Sequence, residues 1–195
     1  VIVFVGICFV ATLGDLLSKH YVFNSMLAED ALRSRLGTPR GETGSPEAAR
    51  LVLGRFQRRV CPGVKFTLST NPGVVFGLTM PRVLVAVATT FAAGMVLYFF
   101  CTADASDRLL HVALGLILGG AVGNFYDRAF SNVTVPGYAP IIYQVRDFID
   151  CSEIGYKWIF NIADALLVIG VALVLLHGLM VSRRAATRTG ASVKK

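Results

Sequence analysis

Charge is scarce in this sequence. Only 16% of its 195 residues are Asp, Glu, Lys or Arg, where soluble domains average about 25%. Hydrophobic residues make up 54% of the chain and the mean hydropathy is +0.63, so an ordinary soluble domain is excluded and a membrane protein is expected. Metal and redox motifs are missing too. The four cysteines, Cys8, Cys61, Cys101 and Cys151, include no C-x-x-C pair, and the three histidines, His20, His111 and His177, form no zinc motif. Neither a G-x-S-x-G nucleophile elbow nor a phosphate-binding loop is present. No metal and no cofactor are therefore expected. The net charge of +7 does not point to nucleic acid, because no basic face interleaved with aromatics occurs. Cys8 and Cys101 lie in apolar runs and read as small core residues. Cys61 and Cys151 lie in loops that could share a compartment, and a disulfide between them stays open.

What the chain does have is long apolar runs. Residues 1–20 read as a first span, since the DLLSKHYVF that follows the run offers no small-residue cleavage site. Residues 83–101 carry no charge and are long enough to cross a bilayer; 109–125 and 159–181 make the third and fourth spans. Gly115, Gly119 and Gly123, spaced by four, form a seam where helix backbones approach closely. Five of the basic residues, Arg183, Arg184, Arg188, Lys194 and Lys195, fall in the last thirteen positions. That is the mark of a cytoplasmic end. Four spans then place both termini in the cytoplasm. The expected division is an integral membrane domain over 1–182, with an extracytoplasmic insertion at about 24–60, and a basic cytoplasmic tail over 183–195.

Between the first two spans, residues 24–57 are polar and rich in Gly, Pro and Ser, which predicts a loop outside the bilayer. Within it EAARLVLGRFQRR has apolar residues at helical spacing and a basic face, as in a short amphipathic helix on the membrane surface that would serve as a lid. Val64, Phe66 and Leu68 alternate with Lys65, Thr67 and Ser69, the period of a strand, and Asn71-Pro72-Gly73 signals a turn. The predicted fold class is an all-α membrane protein: four transmembrane helices, a small extracytoplasmic β-sheet and an amphipathic surface segment.

The chemistry concentrates at residues 143–164, YQVRDFIDCSEIGYKWIFNIAD. An acid at a membrane helix costs several kcal/mol and marks a functional site. The topology brings Asp147 and Asp164 to one membrane face, together with Asp15, Lys19, Asn71, Asn124, Arg128 and Asn161. Asn161 and Asp164 share a helix face in the first turns of the fourth span, where the helix dipole favours a carboxylate. Two acids held closely cannot both ionise readily, and a shared proton would let them activate water and protonate a leaving amine. Structural ion pairing with Arg128 or Arg146 is the plainer alternative. Asp15 and Lys19, four apart, are either an interfacial ion pair or a pair that shapes the site.

The segments DLLSK, NPGVVFGL, GGAVGNFYDR, VRDFID and FNIADALLVIG resemble, in order, the five blocks of the lipoprotein signal peptidase (signal peptidase II) family. The resemblance covers about two thirds of the chain and leaves out most of the insertion and the tail. It implies a membrane aspartic endopeptidase, a hydrolase that removes the signal peptide from diacylglyceryl-modified prolipoproteins just before the lipidated cysteine. By motif position Asp147 and Asp164 match the catalytic pair. Asp15, Lys19, Asn71, Gly73, Asn124, Arg128 and Asn161 match the residues that line the site and hold substrate. The implied partners are a prolipoprotein with its lipobox and diacylglyceryl cysteine, and membrane lipids. The implied place is the bacterial cytoplasmic (inner) membrane, as a monomer with its site near the extracytoplasmic face. Arg146 departs from the family pattern, which has an apolar residue there, and could shift the ionisation of Asp147. Val74 and Val75 stand where alanines are frequent. The competing reading is a small membrane carrier or proton relay. A carrier would show internal repeats or broken midplane helices, whereas the polar residues here gather at one face.

Overall fold

A computed structural model describes residues 1–33, 44–75 and 78–192. Four helices are long and apolar enough to cross a membrane. They are α1 (Ile2–Arg33), α3 (Arg82–Thr102), α4 (Arg108–Phe130) and α5 (Ile162–Ser192). A short helix, α2 (Pro46–Leu53), and eight strands complete the described fold. The helices and the small sheet agree with the expected class.

Helix α4 is the central element, and glycine is the reason. Its Gly115, Gly119 and Gly123 lie against α1. A β-carbon at Gly119 would sit 2.5 Å from Ala11 Cβ and 2.9 Å from the Cys8 carbonyl oxygen. The Thr12 hydroxyl donates across this seam to the Gly119 carbonyl at 3.2 Å. On its other side α4 meets α5 in the same way, with Gly120 against Ala163 and Gly170 of α5 against Ala113 and Ile117. Close backbone approach replaces the hydrophobic drive that lipid cannot supply. Helix α3 is peripheral. Only 6% of its apolar window is buried, and it joins the bundle through Val96 and Phe100, whose ring stacks on Phe4 at 3.9 Å.

At one end of the bundle four antiparallel strands form a sheet of order β1-β2-β7-β8. They are β1 (Gln57–Cys61), β2 (Val64–Asn71), β7 (Val145–Asp150) and β8 (Ile159–Phe160). Two short hairpins pair β3 (Val74–Val75) with β4 (Leu78–Thr79), and β5 (Asn132–Val133) with β6 (Ile141–Ile142). The strand predicted from the alternation at 64–69 is present, with an irregular register between Phe66 and Ser69. That irregularity buries both Thr67 and Leu68, and Thr67 is satisfied by donating to Asp150 Oδ2 at 2.7 Å.

Two expectations need correction. The first helix does not end near His20: it runs to Arg33, although its apolar span covers only Ile2–Ala28. No Gly or Pro interrupts NSMLAEDALR, and Val22, Phe23 and Met26 are drawn into the core beneath the sheet. The amphipathic segment, expected on the membrane surface, is seated on the sheet by part of its apolar face. Ser45 caps α2 by accepting from the Ala48 N–H at 3.2 Å, Pro46 opens the helix, and the chain enters β1 at Gln57. The apolar face of α2 packs on protein: Ala49 and Leu53 are fully buried with Leu68, Ile141 and Phe148. Burial of side chains the size of Leu53 and Phe148 contributes roughly 1.5–3 kcal/mol each, which holds α2 on the sheet rather than leaving it free as a lid. Residues 34–43 of the expected insertion lie outside the described residues. All four cysteines are free thiols.

Candidate active site

The start of α5 is the pivot of the site, because its first backbone N–H groups need acceptors. Asn161 stands just before the helix and its Oδ1 accepts from the Asp164 N–H at 2.9 Å, while Asp164 Oδ2 accepts from the Asn161 N–H at 3.4 Å. This is a reciprocal box of the kind that starts helices, with an aspartate in the third position. The next donor, the Ala163 N–H, is taken by Asp15 Oδ1 of α1 at 2.8 Å. Helix capping thus fixes three of the predicted residues, Asp15, Asn161 and Asp164, before any chemistry is considered.

Side-chain amides then join the two acids. Asn161 Nδ2 donates to Asp147 Oδ1 at 2.6 Å and to Asn124 Oδ1 at 3.1 Å. Asn124 Nδ2 donates to Asp164 Oδ1 at 2.8 Å. The path Asp147–Asn161–Asn124–Asp164 is continuous, and it fixes which way each amide faces. Lys19, with no exposure at all, donates to Asn124 Oδ1 at 2.9 Å and pairs with Asp15 Oδ2 at 2.6 Å. A buried ammonium is tolerable only with such partners.

Asp147 lies on β7 opposite Ser69 and is 4% exposed. Burial pushes its pKa up from 3.8 to about 8, and the charge of Asp164 adds to the rise; the Asn161 hydrogen bond, Lys19 and Arg128 pull the other way. Desolvation dominates because the carboxylate has little water to replace what it loses. Arg146 is not among these influences. Its guanidinium is held by Asp127, through Nε at 3.1 Å and Nη2 at 2.6 Å, so the departure at this position does not act on Asp147 directly.

Arg128 bends toward its own helix, donating to the Asn124 carbonyl at 3.3 Å, and its Nε is buried without a hydrogen-bond partner among the described residues. It lines a cleft of about 160 Å³ between α3 and α4, beside Pro72, Val85, Thr89, Phe125 and Tyr143. Among the described residues neither Asp147 nor Asp164 forms an ion pair with Arg128 or Arg146 within 4 Å, although the Arg128 charge still acts on both acids. Asn71 and Gly73 shape the turn at the mouth of the cleft: the Gly73 N–H donates to Asn71 Oδ1 at 2.9 Å, and Gly73 has φ of 118°.

One member of the network, Asp127, stood outside the predicted site. It is fully buried, 3.2 Å from Lys19 Nζ, and its Oδ2 also accepts from the Arg146 backbone N–H at 2.9 Å. A sequence signal existed. Asp127 continues the series Gly115, Gly119, Gly123 by four more residues, so it faces α1, where Lys19 stands.

The chain resembles known proteins in sequence and in fold. The sequence model of a family described as signal peptidase (SPase) II matches residues 7–180. A protein of Shouchella clausii named lipoprotein signal peptidase is 41% identical over 114 residues, 58% of this chain and 67% of its own length. One of Aquifex aeolicus with the same name is 38% identical over 122 residues, 60% of this chain and 66% of its own. The matched part is thus about two thirds of each relative. Two solved bacterial membrane enzymes, determined by the in meso method at 1.9 and 2.3 Å resolution, share the fold with TM-scores of 0.61 and 0.62. They are 25% and 26% identical, over 90% and 91% of this chain and 92% and 87% of their own.

Proposed function

The chain belongs to the signal peptidase II family of membrane aspartic peptidases, and on that premise we propose that Asp147 and Asp164 are the pair that cleaves the signal peptide from a prolipoprotein. The observation that carries this reading is the asparagine path joining the two acids at the mouth of the bundle. The carrier alternative is not favoured by the family match.

Asp147, kept protonated by burial, acts as the acid. Asp164, whose carboxylate accepts from the Asn124 side chain and the Asn161 backbone, acts as the base. Asp164 takes a proton from water, the water oxygen attacks the scissile carbonyl carbon, and the carbonyl oxygen takes the proton of Asp147. Collapse of the resulting diol returns a proton to Asp147. The proton on Asp164 passes to the amide nitrogen as the C–N bond breaks. The products are a signal-peptide carboxylate and a free amine on the cysteine. Arg128 faces the cleft and supplies donors for a substrate carbonyl. Asn71 and Gly73 border the path of the substrate. Asp15 and Lys19, wholly buried, support the site without reaching substrate.

The substrate class is a prolipoprotein whose lipobox cysteine carries diacylglycerol, its lipid tails remaining in the bilayer. The enzyme works as a monomer in the bacterial inner membrane, with residues 1–182 as the peptidase domain and 183–195 as a cytoplasmic tail. Both termini are cytoplasmic, and the sheet and site lie at the outer face. The basic tail and the four spans support this arrangement. The test is cleavage of diacylglyceryl-modified prolipoprotein by purified protein. Asp147→Asn and Asp164→Asn each lose turnover while remaining folded, EDTA leaves wild-type turnover unchanged, and unmodified prolipoprotein is not cut. Substantial turnover by either variant overturns the assignment.

A further inference from the structure

Arg146 precedes the first acid on the same strand, yet its side chain and its backbone both turn to one residue of another element. Asp127 on α4 receives the Arg146 N–H at 2.9 Å, Nε at 3.1 Å and Nη2 at 2.6 Å. With Lys19 Nζ at 3.2 Å, both oxygens of a fully buried carboxylate are occupied. We propose that Arg146 is a positioning residue for the peptidase reaction: it docks the strand that carries Asp147 onto α4 through Asp127, and so fixes the height of that acid. The proposal rests on the reading of Asp147 and Asp164 as the reacting pair.

The geometry makes a local lock necessary. The β2–β7 register is irregular between Phe66 and Ser69, and Ser69 is the residue opposite Asp147. A strand is weakly held in register where its pairing is interrupted. The Arg146–Asp127 contact restores a fixed point one residue from the acid, and it uses the main chain, so the strand cannot slide without breaking it. Two further bonds from a planar guanidinium add direction that an ammonium lacks.

The experiment measures kcat and KM of Arg146→Val and Arg146→Lys with diacylglyceryl-modified prolipoprotein in liposomes, beside Asp147→Asn. Arg146→Val is expected to lose kcat by roughly tenfold to a hundredfold, the scale of a small misplacement of a reacting group, with KM little changed. Arg146→Lys recovers only part of kcat, because the charge is restored and the fork is not. Should the valine variant fail to fold, Arg146→Gln, a shorter polar side chain with no charge and no fork, carries the same comparison. A valine or glutamine variant with wild-type kcat overturns the proposal, as does a lysine variant that recovers none of the lost kcat. Activity in Asp147→Asn would instead overturn the reading on which the proposal rests.

Discussion

At Asp147 burial and the proposed role as acid demand the same thing. A carboxyl with 4% exposure is stabilised as the neutral acid, and the pKa of about 8 expresses that. The consequence for stability has a definite sign. Between about pH 4 and pH 8 the unfolded chain has released this proton and the folded chain keeps it. Stability from this group is therefore fully present below the unfolded value and is lost as pH rises through the window. Asparagine at the same place cannot ionise, and its carbonyl still accepts from Asn161. Thermal unfolding in detergent should show the wild-type midpoint falling from pH 5 to pH 9 and the Asp147→Asn midpoint falling distinctly less. Parallel declines in the two proteins would mean that Asp147 does not hold its proton in the fold. Residue identity made this acid visible in the sequence, and its block resemblance gave it a role. Asp164 was read as its partner, but the asparagine path between them could not be, since it needs Asn124 of α4 and Asn161 at the start of α5 to meet. Asp127 was legible in principle, from its place in the series of four, and its hidden value lay in Arg146, whose direction a strand pattern alone does not give.

Among the elements, α4 shows why spacing was informative where length was not. The glycine seam was read correctly as a close helix contact, and the structure adds its partner, α1. A methyl at Gly119 meets Ala11 Cβ at 2.5 Å and the Cys8 carbonyl at 2.9 Å, so one helix must move. Overpacking of this sort costs about 1–3 kcal/mol. The same seam carries Asp15 toward α5, since Asp15 Oδ2 stands 2.5 Å from where a Gly123 β-carbon would be. Gly119→Ala should lower the thermal midpoint and reduce turnover together. Gly94→Ala in α3, where a β-carbon has nothing within 4 Å, should leave both unchanged or raise the midpoint slightly. Equal behaviour of the two variants would show that the seam is not a tight contact. The elements that escaped sequence reading did so for physical reasons. Helix α1 passes from an exposed apolar run into one packed beneath the sheet at Val22, and the polar residues Ser18, Lys19 and His20 between them read as its end although helicity continues. Helix α2 has an apolar face by spacing, but spacing cannot say whether lipid or Leu68 and Phe148 cover it.

At the scale of the molecule, scarcity of charge and four apolar helices make a membrane protein, and the sheet gathers at the end where the polar network lies. The position of that end in the bilayer can be read from one residue, because the chain has a single tryptophan. Trp158 is 47% exposed, its ring lies 5.4 Å from that of the half-exposed Tyr156, and both precede the apolar run of α5 by only a few residues. Exposed amphipathic rings at the start of a span settle at headgroup level. The dyad shares this depth, since Asp164 is two residues into α5 and Asp147 lies on the strand that pairs with β8. That is the depth at which a lipidated cysteine would present its peptide bond. In liposomes Trp158 fluorescence should be quenched more by lipids brominated high on the acyl chain than by lipids brominated near its end, and weakly by aqueous iodide. A Ser45→Cys protein without native cysteines should react with an impermeant thiol reagent only from outside the cell. Strong quenching by iodide, or labelling of position 45 from the cytoplasm alone, would place the sheet away from the outer interface and refute the arrangement.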